Sequence, residues 1–363
     1  MKRLVVETDS LIYNIERIKE LTASKIYGVV KGNGYGLGLV PFARCLVENG
    51  AEALAVTEPG DAVCLREEGF SDIPILLMRA TTDRTELELI IKYGLTATVA
   101  SPATAEALQT FCAEENRRAQ AQVKIDTGMG RFGFALTDID LIFDTLSACP
   151  ALDFCGIYSH FHSAFGKKKS VDKQLELFLS VTDALAGRGL VLGERHIANS
   201  TAALLYPETR LDAVRIGSAF LGRLPVQDTM GLKKVGYLET AILDTRLLKK
   251  GATSGYAATF KAKKPVHIGV IPVGYQDGFS VSKNPELFSF VALMRVCWQE
   301  LRRFFRGARM PHVFINGKRY QTIGRIGVVS SVVAVDQTVL PGTAVRIDIN
   351  PLFVDSAVER YYA

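Results

Sequence analysis

Tryptophan occurs once in 363 residues, histidine five times and cysteine six times, and neither charge sign dominates, since 43 Lys and Arg face 38 Asp and Glu for a net charge of +5. Each scarcity narrows the field. The basic residues are mostly interleaved with acids instead of clustered, which argues against nucleic acid as a partner. The cysteines, Cys45, Cys64, Cys112, Cys149, Cys155 and Cys297, include no Cys-x-x-Cys pair, and several fall in apolar helical stretches. They read as reduced core residues of a cytoplasmic protein. No uninterrupted apolar run is long enough to cross a bilayer, and the stretch from Met1 to Glu7 is too short for a signal peptide. A membrane partner is therefore not expected. What remains is an ordinary globular composition, 48% hydrophobic, with length for two domains or for a barrel and a smaller companion.

Short apolar runs at 26–30, 53–56, 73–78, 97–100, 121–125, 154–158, 196–198 and 214–216 alternate with amphipathic stretches such as 39–48, 59–68, 85–93, 102–115 and 171–186. Start signals support the helices: Thr57 with Glu58 and Pro59, Ser101 with Pro102, and Asp138 after Thr137. Eight strand-then-helix units over roughly 200 to 250 residues is the size of a closed parallel barrel, with a doubly wound open sheet as the alternative. Residues 1–230 are read as a (β/α)8 TIM-like barrel, an α/β unit. From 231 to 363 the pattern is mostly β, with β-rich runs at 235–247, 255–260, 266–273, 313–315, 323–335 and 343–349. Asn316-Gly317 between two of these runs is a strong hairpin signal. The run Leu4 to Glu7 precedes a capped helix from Asp9 or Ser10 to Leu21, so residues 1–8 could join the C-terminal β domain.

In a barrel, chemistry collects at the carboxyl ends of the strands. There stand Lys31, which ends the first run and opens the glycine-rich turn Lys31-Gly32-Asn33-Gly34-Tyr35-Gly36, then Lys124 and Asp126, His160 and His162, Asn199 and Ser200, and Arg215 with Gly217. An amine in an uncrowded turn suits a Schiff base. Ser200, Gly217 and Ser218 fall where late loops and a helix start could present amides to a phosphate. An amine, a phosphate cradle and an arginine together suggest pyridoxal 5'-phosphate. His160 and His162 could be a metal pair, but an i, i+2 spacing serves one site only if the strand continues, and no metal site is read.

The motifs Val29-Val30-Lys31-Gly32-Asn33-Gly34-Tyr35-Gly36, Lys124-Ile125-Asp126-Thr127-Gly128-Met129-Gly130-Arg131, Ser159-His160-Phe161, Ala198-Asn199-Ser200, Val214-Arg215-Ile216-Gly217, Pro272-Val273-Gly274-Tyr275-Gln276-Asp277-Gly278 and Ile323-Gly324-Arg325 follow one another as in the alanine racemase family, which the chain resembles over nearly its whole length. The resemblance implies a pyridoxal-phosphate amino-acid racemase, an isomerase, working as a head-to-tail homodimer with active sites shared across the interface. It implies Lys31 and Tyr256 as two bases on opposite faces of the cofactor, Tyr256 donated by the partner subunit. A phenol ordinarily keeps its proton to about pH 10, so such a base needs cationic or hydrogen-bonding neighbours, for which His160 and Arg131 are the candidates. The resemblance further implies Tyr35 and Ser200 at the phosphate, His160 among the cofactor-binding residues, Arg215 at the pyridine nitrogen, and Arg131 at the substrate carboxylate. Lys124, carbamylated in some relatives, would orient Arg131. His196 is read as structural.

Departures from the family cluster near the C-terminus. Gly327-Val328-Val329-Ser330 replaces a Cys-Met-Asp-Gln stretch, so an acid is gone, though the Val328 amide could still bind a carboxylate. Asn350-Pro351-Leu352 replaces Asn-Tyr-Glu, removing a gate tyrosine; Val281 stands for an entrance arginine and Leu37 for a histidine. Around Tyr256 the usual Ser before and Gly after are Gly255 and Ala257. Between Val281 and Val313, a segment near 285–310 exceeds the family length. Phe290, Met294, Cys297, Leu301 and Phe304 or Phe305 recur there at helical spacing, with Arg295, Arg302, Arg303 and Arg306 opposite and the sole tryptophan, Trp298, within. It reads as a helical insertion packed on its own dimer in preference to a membrane-surface helix. Alanine is the expected substrate. The alternatives are another amino acid, such as serine or a lysine- or ornithine-like one, and a catalytically weak cofactor-binding homologue.

Overall fold

The computed structural model describes residues 2–166, 168–226, 230–282, 289–305 and 310–363, with only the backbone of Arg303 and Phe304; Arg306 lies outside the described residues. It divides into two compact units, Thr8–Val235 and the pair Met1–Glu7 with Gly236–Ala363. The first strand, β1 (Arg3–Val6), belongs to the second of these.

Helix Thr8–Thr22 opens the barrel unit, burying Leu11, Ile15 and Ile18 at helical spacing. The strands follow as β2 (Lys25–Val29), β3 (Ala53–Val56), β4 (Ile75–Leu77), β5 (Ala97–Val99) and β6 (Ala119–Asp126). A two-residue β7 (Phe134–Ala135) pairs with the end of β6, and β8 (Leu152–Tyr158), β9 (Glu194–His196) and β10 (Ala213–Ile216) complete the set. All pair in parallel, in the orders β10-β2-β3-β4 and β5-β6-β8-β9. A bridge from Leu76 to Thr96 joins the halves on one side. On the other, the Asp212 NH donates to the Arg195 carbonyl and the Arg215 NH to that of Ala198, at 3.2 and 3.0 Å. The sheet therefore closes, which settles the barrel against the open alternative. Strands buried on both faces need apolar residues throughout, and all four residues of β3 are buried. Helices cover the outside, among them Leu39–Glu48, Pro59–Glu67, Arg84–Lys92, Pro102–Glu114, Ile139–Ser147 and Lys168–Gly187. Ser101 and Thr104 cap Pro102–Glu114 reciprocally.

The second unit is a nine-stranded sheet built on β11 (Tyr237–Ala241), β12 (Asp244–Leu248), β15 (Val266–Ile271), β16 (His312–Ile315), β17 (Lys318–Ile323), β18 (Ser331–Ala334), β19 (Ala344–Asp348), β20 (Glu359–Tyr362) and the returning β1; a separate pair, β13 (Thr253–Ser254) and β14 (Phe260–Lys261), lies off it. Its order is β12-β15-β18-β17-β16-β19-β11-β1-β20. β1 runs antiparallel to β11 and parallel to β20. Asn316 and Gly317 both take positive φ, 50° and 74°, and Ile315 faces Lys318, the geometry of a two-residue hairpin whose twist matches the strands. The β-rich reading of 255–260 needs correction. Tyr256–Ala258 is a 3-10 turn between β13 and β14, because Gly255, Ala257 and Ala258 all take positive φ and break the strand. Among the described residues no helix is long and apolar enough to cross a membrane.

Candidate active site

Lys31 stands two residues past the end of β2 and is exposed at the mouth of the barrel. The next four residues, Gly32, Asn33, Gly34 and Tyr35, all take left-handed φ between 53° and 62°. Such a run is costly for residues with a Cβ, which is why two of the four are glycine. The Asn33 side chain steadies the turn by accepting the Leu39 NH at 2.8 Å. Its consequence is the placement of Tyr35. A Cβ added at Gly217 would lie 2.3 Å from the Tyr35 Oη, so that phenol fills the space a side chain would need. The Ser200 Oγ accepts the Gly217 NH at 3.0 Å in the same spot. Tyr35, Ser200 and Gly217 thus converge, although the Gly217 amide expected to face a phosphate here donates to Ser200. Asn199 caps the short helix that Ser200 opens, accepting the Ala202 NH at 3.1 Å, and Ser218 begins the turn beyond Gly217.

Arg215, on β10, is buried, and its partners among the described residues are all uncharged. The guanidinium donates to the carbonyls of Ser159 at 2.5 Å, His196 at 3.2 Å and Ile197 at 3.3 Å, and meets Nδ1 of His196 and, at 3.4 Å, Nδ1 of His160. Burial lowers its pKa to about 10, with the Tyr158 and Tyr27 phenols opposing. A guanidinium without a carboxylate in a dry place is held only by dipoles, and its positive charge stays uncompensated by any anion among the described residues.

His196 proves to be more than core filling. Its ring is stacked between Tyr27 and Tyr158, with centroids 5.0 and 5.1 Å away. The Gln122 Nε2 donates to the Tyr27 Oη at 3.0 Å, so the Gln122 Oε1 is the atom that accepts from His196 Nε2, at 2.8 Å. Nδ1 therefore carries the lone pair that meets Arg215. Burial first, then the charge of Arg215, hold this ring well below the usual imidazole pKa, which keeps it neutral. The chain continues outward, since the Tyr27 Oη donates to Glu194 at 2.7 Å, and Glu194 is paired with Lys25. Sequence reasoning missed Tyr27, Gln122, Tyr158 and Glu194 altogether. Spacing carries no signal for them because a buried polar chain inside a barrel looks like ordinary strand alternation.

Lys124 on β6 is buried with its ammonium over the ring of Tyr158, 4.9 Å from the centroid. Burial, then Arg215, Arg131 and Lys31, bring its pKa down to about 7, against a weaker pull from Asp126. Asp126 is occupied with the following loop, accepting the NH groups of Gly128, Met129 and Gly130 at 2.9, 2.7 and 2.9 Å. That loop presents Arg131 beside a cavity of about 400 Å³ also lined by Ser101, Thr104 and Phe132. His160 sits among the same cations; burial, then Arg215, Lys124 and Lys31, depress its pKa well below the ordinary value. His162 is exposed instead, near Ser170 and Gln174, so the two histidines do not face one point. No group of metal-binding side chains gathers among the described residues.

The mouth thus gathers Lys31, Lys124, Arg131 and Arg215 with neutral His160 and a hydroxyl niche, an arrangement made for anions. Tyr256 and Val328 stand in the other unit. Tyr256 is 68% exposed on its left-handed turn. Val328 is exposed as well, its carbonyl accepting the Gln276 NH at 3.1 Å. Among the described residues its own NH has no acceptor.

Residues 6–225 match the model of the alanine racemase N-terminal domain and residues 235–350 that of the alanine racemase C-terminal domain. The alanine racemase of Clostridium tetani is 38% identical over 286 residues, 76% of this chain and 73% of that one. The alanine racemase of Bacillus anthracis with bound L-Ala-P superposes with a TM-score of 0.80 at 26% identity, covering 95% of this chain and 85% of that one. That of Bartonella henselae, with covalently bound pyridoxal phosphate, gives a TM-score of 0.80 at 22% identity over 100% and 98% of the two chains, a likeness of fold.

Proposed function

This chain belongs to the alanine racemase family, and from that premise we infer that it is an isomerase interconverting L- and D-alanine with pyridoxal 5'-phosphate as its cofactor. The observation that carries the cofactor assignment is the mouth of the barrel. Three basic side chains, Lys31, Lys124 and Arg131, gather there around the buried guanidinium of Arg215, whose partners among the described residues are all uncharged. Beside them the hydroxyls of Tyr35 and Ser200 converge on Gly217, where no side chain would fit.

We propose that Lys31 attaches the cofactor, with Tyr35, Ser200, Gly217 and Ser218 holding its phosphate and Arg215 meeting its ring nitrogen. When bound, this cofactor withdraws electrons from the substrate Cα and so acidifies its C–H bond. The protein's part is positional and acid–base. Inversion requires that a proton leave one face of Cα and return to the opposite face. Lys31 Nζ serves one face and Tyr256 Oη, from a partner subunit, the other, the two exchanging roles with the direction of reaction. Arg215 can donate hydrogen bonds but accept none, so it leaves the ring nitrogen without a proton of its own. His196 holds that guanidinium in place through its lone pair, and Gln122 fixes the tautomer. Arg131, steadied by the Asp126 loop, binds the substrate carboxylate, aided by the Val328 amide. Neutral Lys124 is suited to take up carbon dioxide as a carbamate and so orient Arg131. The six cysteines are free thiols, as suits a cytoplasmic enzyme.

The test is absorbance joined to chiral analysis. The loaded protein should show a band at roughly 410–430 nm that Lys31→Ala abolishes, and it should convert either enantiomer of alanine to a racemate. A colourless protein unaffected by added pyridoxal phosphate would overturn the reading.

A further inference from the structure

Helix Phe290–Phe305 carries its apolar residues on the outside. At about 100° per residue, Phe290, Met294, Cys297, Trp298, Leu301 and Phe305 form one stripe. All are exposed, Phe290 to 75% and Phe305 to 81%. Among its described side chains only Ala292 and Val296, on the opposite side, are half-buried. Arg295 and Arg302 border the stripe, and the Arg302 guanidinium lies 5.1 Å from the centre of the Trp298 ring. A helix so arranged turns its best burying surface away from its own fold, and such patches mark an interaction site.

The feet of the insertion show where this surface leads. Ser280 at one end and Met310 and Pro311 at the other line a cavity of about 390 Å³ together with Thr259, Tyr275 and Arg325. Arg325 abuts Gly255, the residue before Tyr256, since a Cβ there would lie 2.7 Å from the Arg325 nitrogen. Tyr275 in turn donates its NH to Gly327, beside Val328. Tyr256, Tyr275, Val281, Val328 and Val329 are all exposed on this unit. The turn that carries Tyr256 and the foot of the helix thus border one cavity of mixed lining on the same unit.

We propose that helix Phe290–Phe305 is an arm that grips a second copy of this chain, extending the face through which Tyr256 reaches that copy's active site. This rests on Tyr256 acting across a dimer. The surface to be met is the rim of the barrel mouth, where Met129 and Phe132, flanking Arg131 in sequence, and Phe165, on the loop after β8, are exposed. Under a two-fold axis each copy offers both patches, so the contact is made twice. Met294 and Leu301, central in the stripe, are its anchors, and the arginines lie at its border.

Two reporters lie on the arm itself. Cys297 is the one exposed cysteine of the six, and Trp298 is the sole tryptophan. In the cofactor-loaded full chain, dimerisation should slow alkylation of Cys297 by at least about tenfold and shift Trp298 emission to the blue. Met294→Glu with Leu301→Glu, both at exposed positions, should raise the dimer dissociation constant on the order of 100-fold. Its activity should fall on dilution and recover at high protein concentration, while far-UV dichroism and cofactor absorbance stay unchanged. A double variant that dimerises as tightly as the parent, with Cys297 equally reactive at every concentration, would overturn the proposal. So would an emission shift seen only with phosphatidylglycerol vesicles, which would assign the helix to a lipid surface. An active Tyr256→Phe dimer would sink the two-base reading alone and leave the arm standing.

Discussion

At Lys124 burial and three neighbouring cations work against the ammonium, and the resulting pKa of about 7 has a definite stability signature. Above about pH 10.5 the amine is neutral folded or unfolded and costs nothing; between 10.5 and 7 only the unfolded chain is protonated, so the penalty on folding grows as pH falls, and below 7 it is constant. Lys124→Met in the cofactor-free protein should therefore stabilise the fold by roughly 2 to 5 kcal/mol near pH 6, with the gain shrinking as pH rises and vanishing only above about pH 10.5. Denaturant titrations at several pH values measure this, and a gain independent of pH would contradict the assignment. Gln122 makes the opposite case. Gln122→Leu would leave His196 and the Tyr27 phenol without their buried partner, which should cost about 2 to 4 kcal/mol and weaken cofactor binding through a displaced Arg215. Unchanged cofactor affinity by absorbance titration would remove His196 from the site. Ala257, at φ 56° beside Tyr256, holds a conformation that suits glycine. Ala257→Gly should gain up to about 1 kcal/mol, the relief of left-handed strain exceeding the added chain entropy, and a destabilised variant would mean that other contacts fix this turn.

Among the elements, those whose conformation is set by neighbouring residues were legible in the sequence. The Asn316-Gly317 hairpin is one, because both residues tolerate positive φ and the register follows from the turn. The helix start at Ser101 with Pro102 is another, although Thr104's part in the cap was not read. The turn after Lys31 was legible as a place of low crowding, but the four consecutive left-handed residues were not, since Asn33 and Tyr35 adopt them under constraint from Leu39 and Gly217. The stretch 255–260 was misread because two alanines there take conformations their type disfavours, fixed by the packing of Gly255 on Gly324 and Arg325. The polar chain from Lys25 to Arg215 was illegible for a different reason. Its members lie on strands far apart in sequence and meet only when the barrel closes.

At the scale of the molecule, the barrel and the β-rich companion were legible from the change of rhythm near residue 230, because parallel strands need long crossovers and antiparallel ones do not. Which strands neighbour β1 was not, since pairing across more than 200 residues leaves no local trace. β1 lies between β11 and β20, so a chain beginning at Thr8 should lose β20 from the sheet and become cleavable within 236–363. Limited proteolysis with mass analysis of the fragments decides this, and full protection of that region would show that β1 is dispensable.

The same placement of β1 sets a timetable for synthesis. Residues 3–6 leave the ribosome well before the strands they join, which end at 241 and 362. At about 5 to 20 residues per second the barrel sequence is complete some seconds before the last strand exists. Throughout that interval Leu4, Val5 and Val6, all buried in the finished fold, form an unpaired apolar edge on a nascent chain, the kind of segment that chaperones cover and that aggregates when they do not. β1 is thus made long before β20, the strand that completes its surroundings, and is among the last elements to find its place.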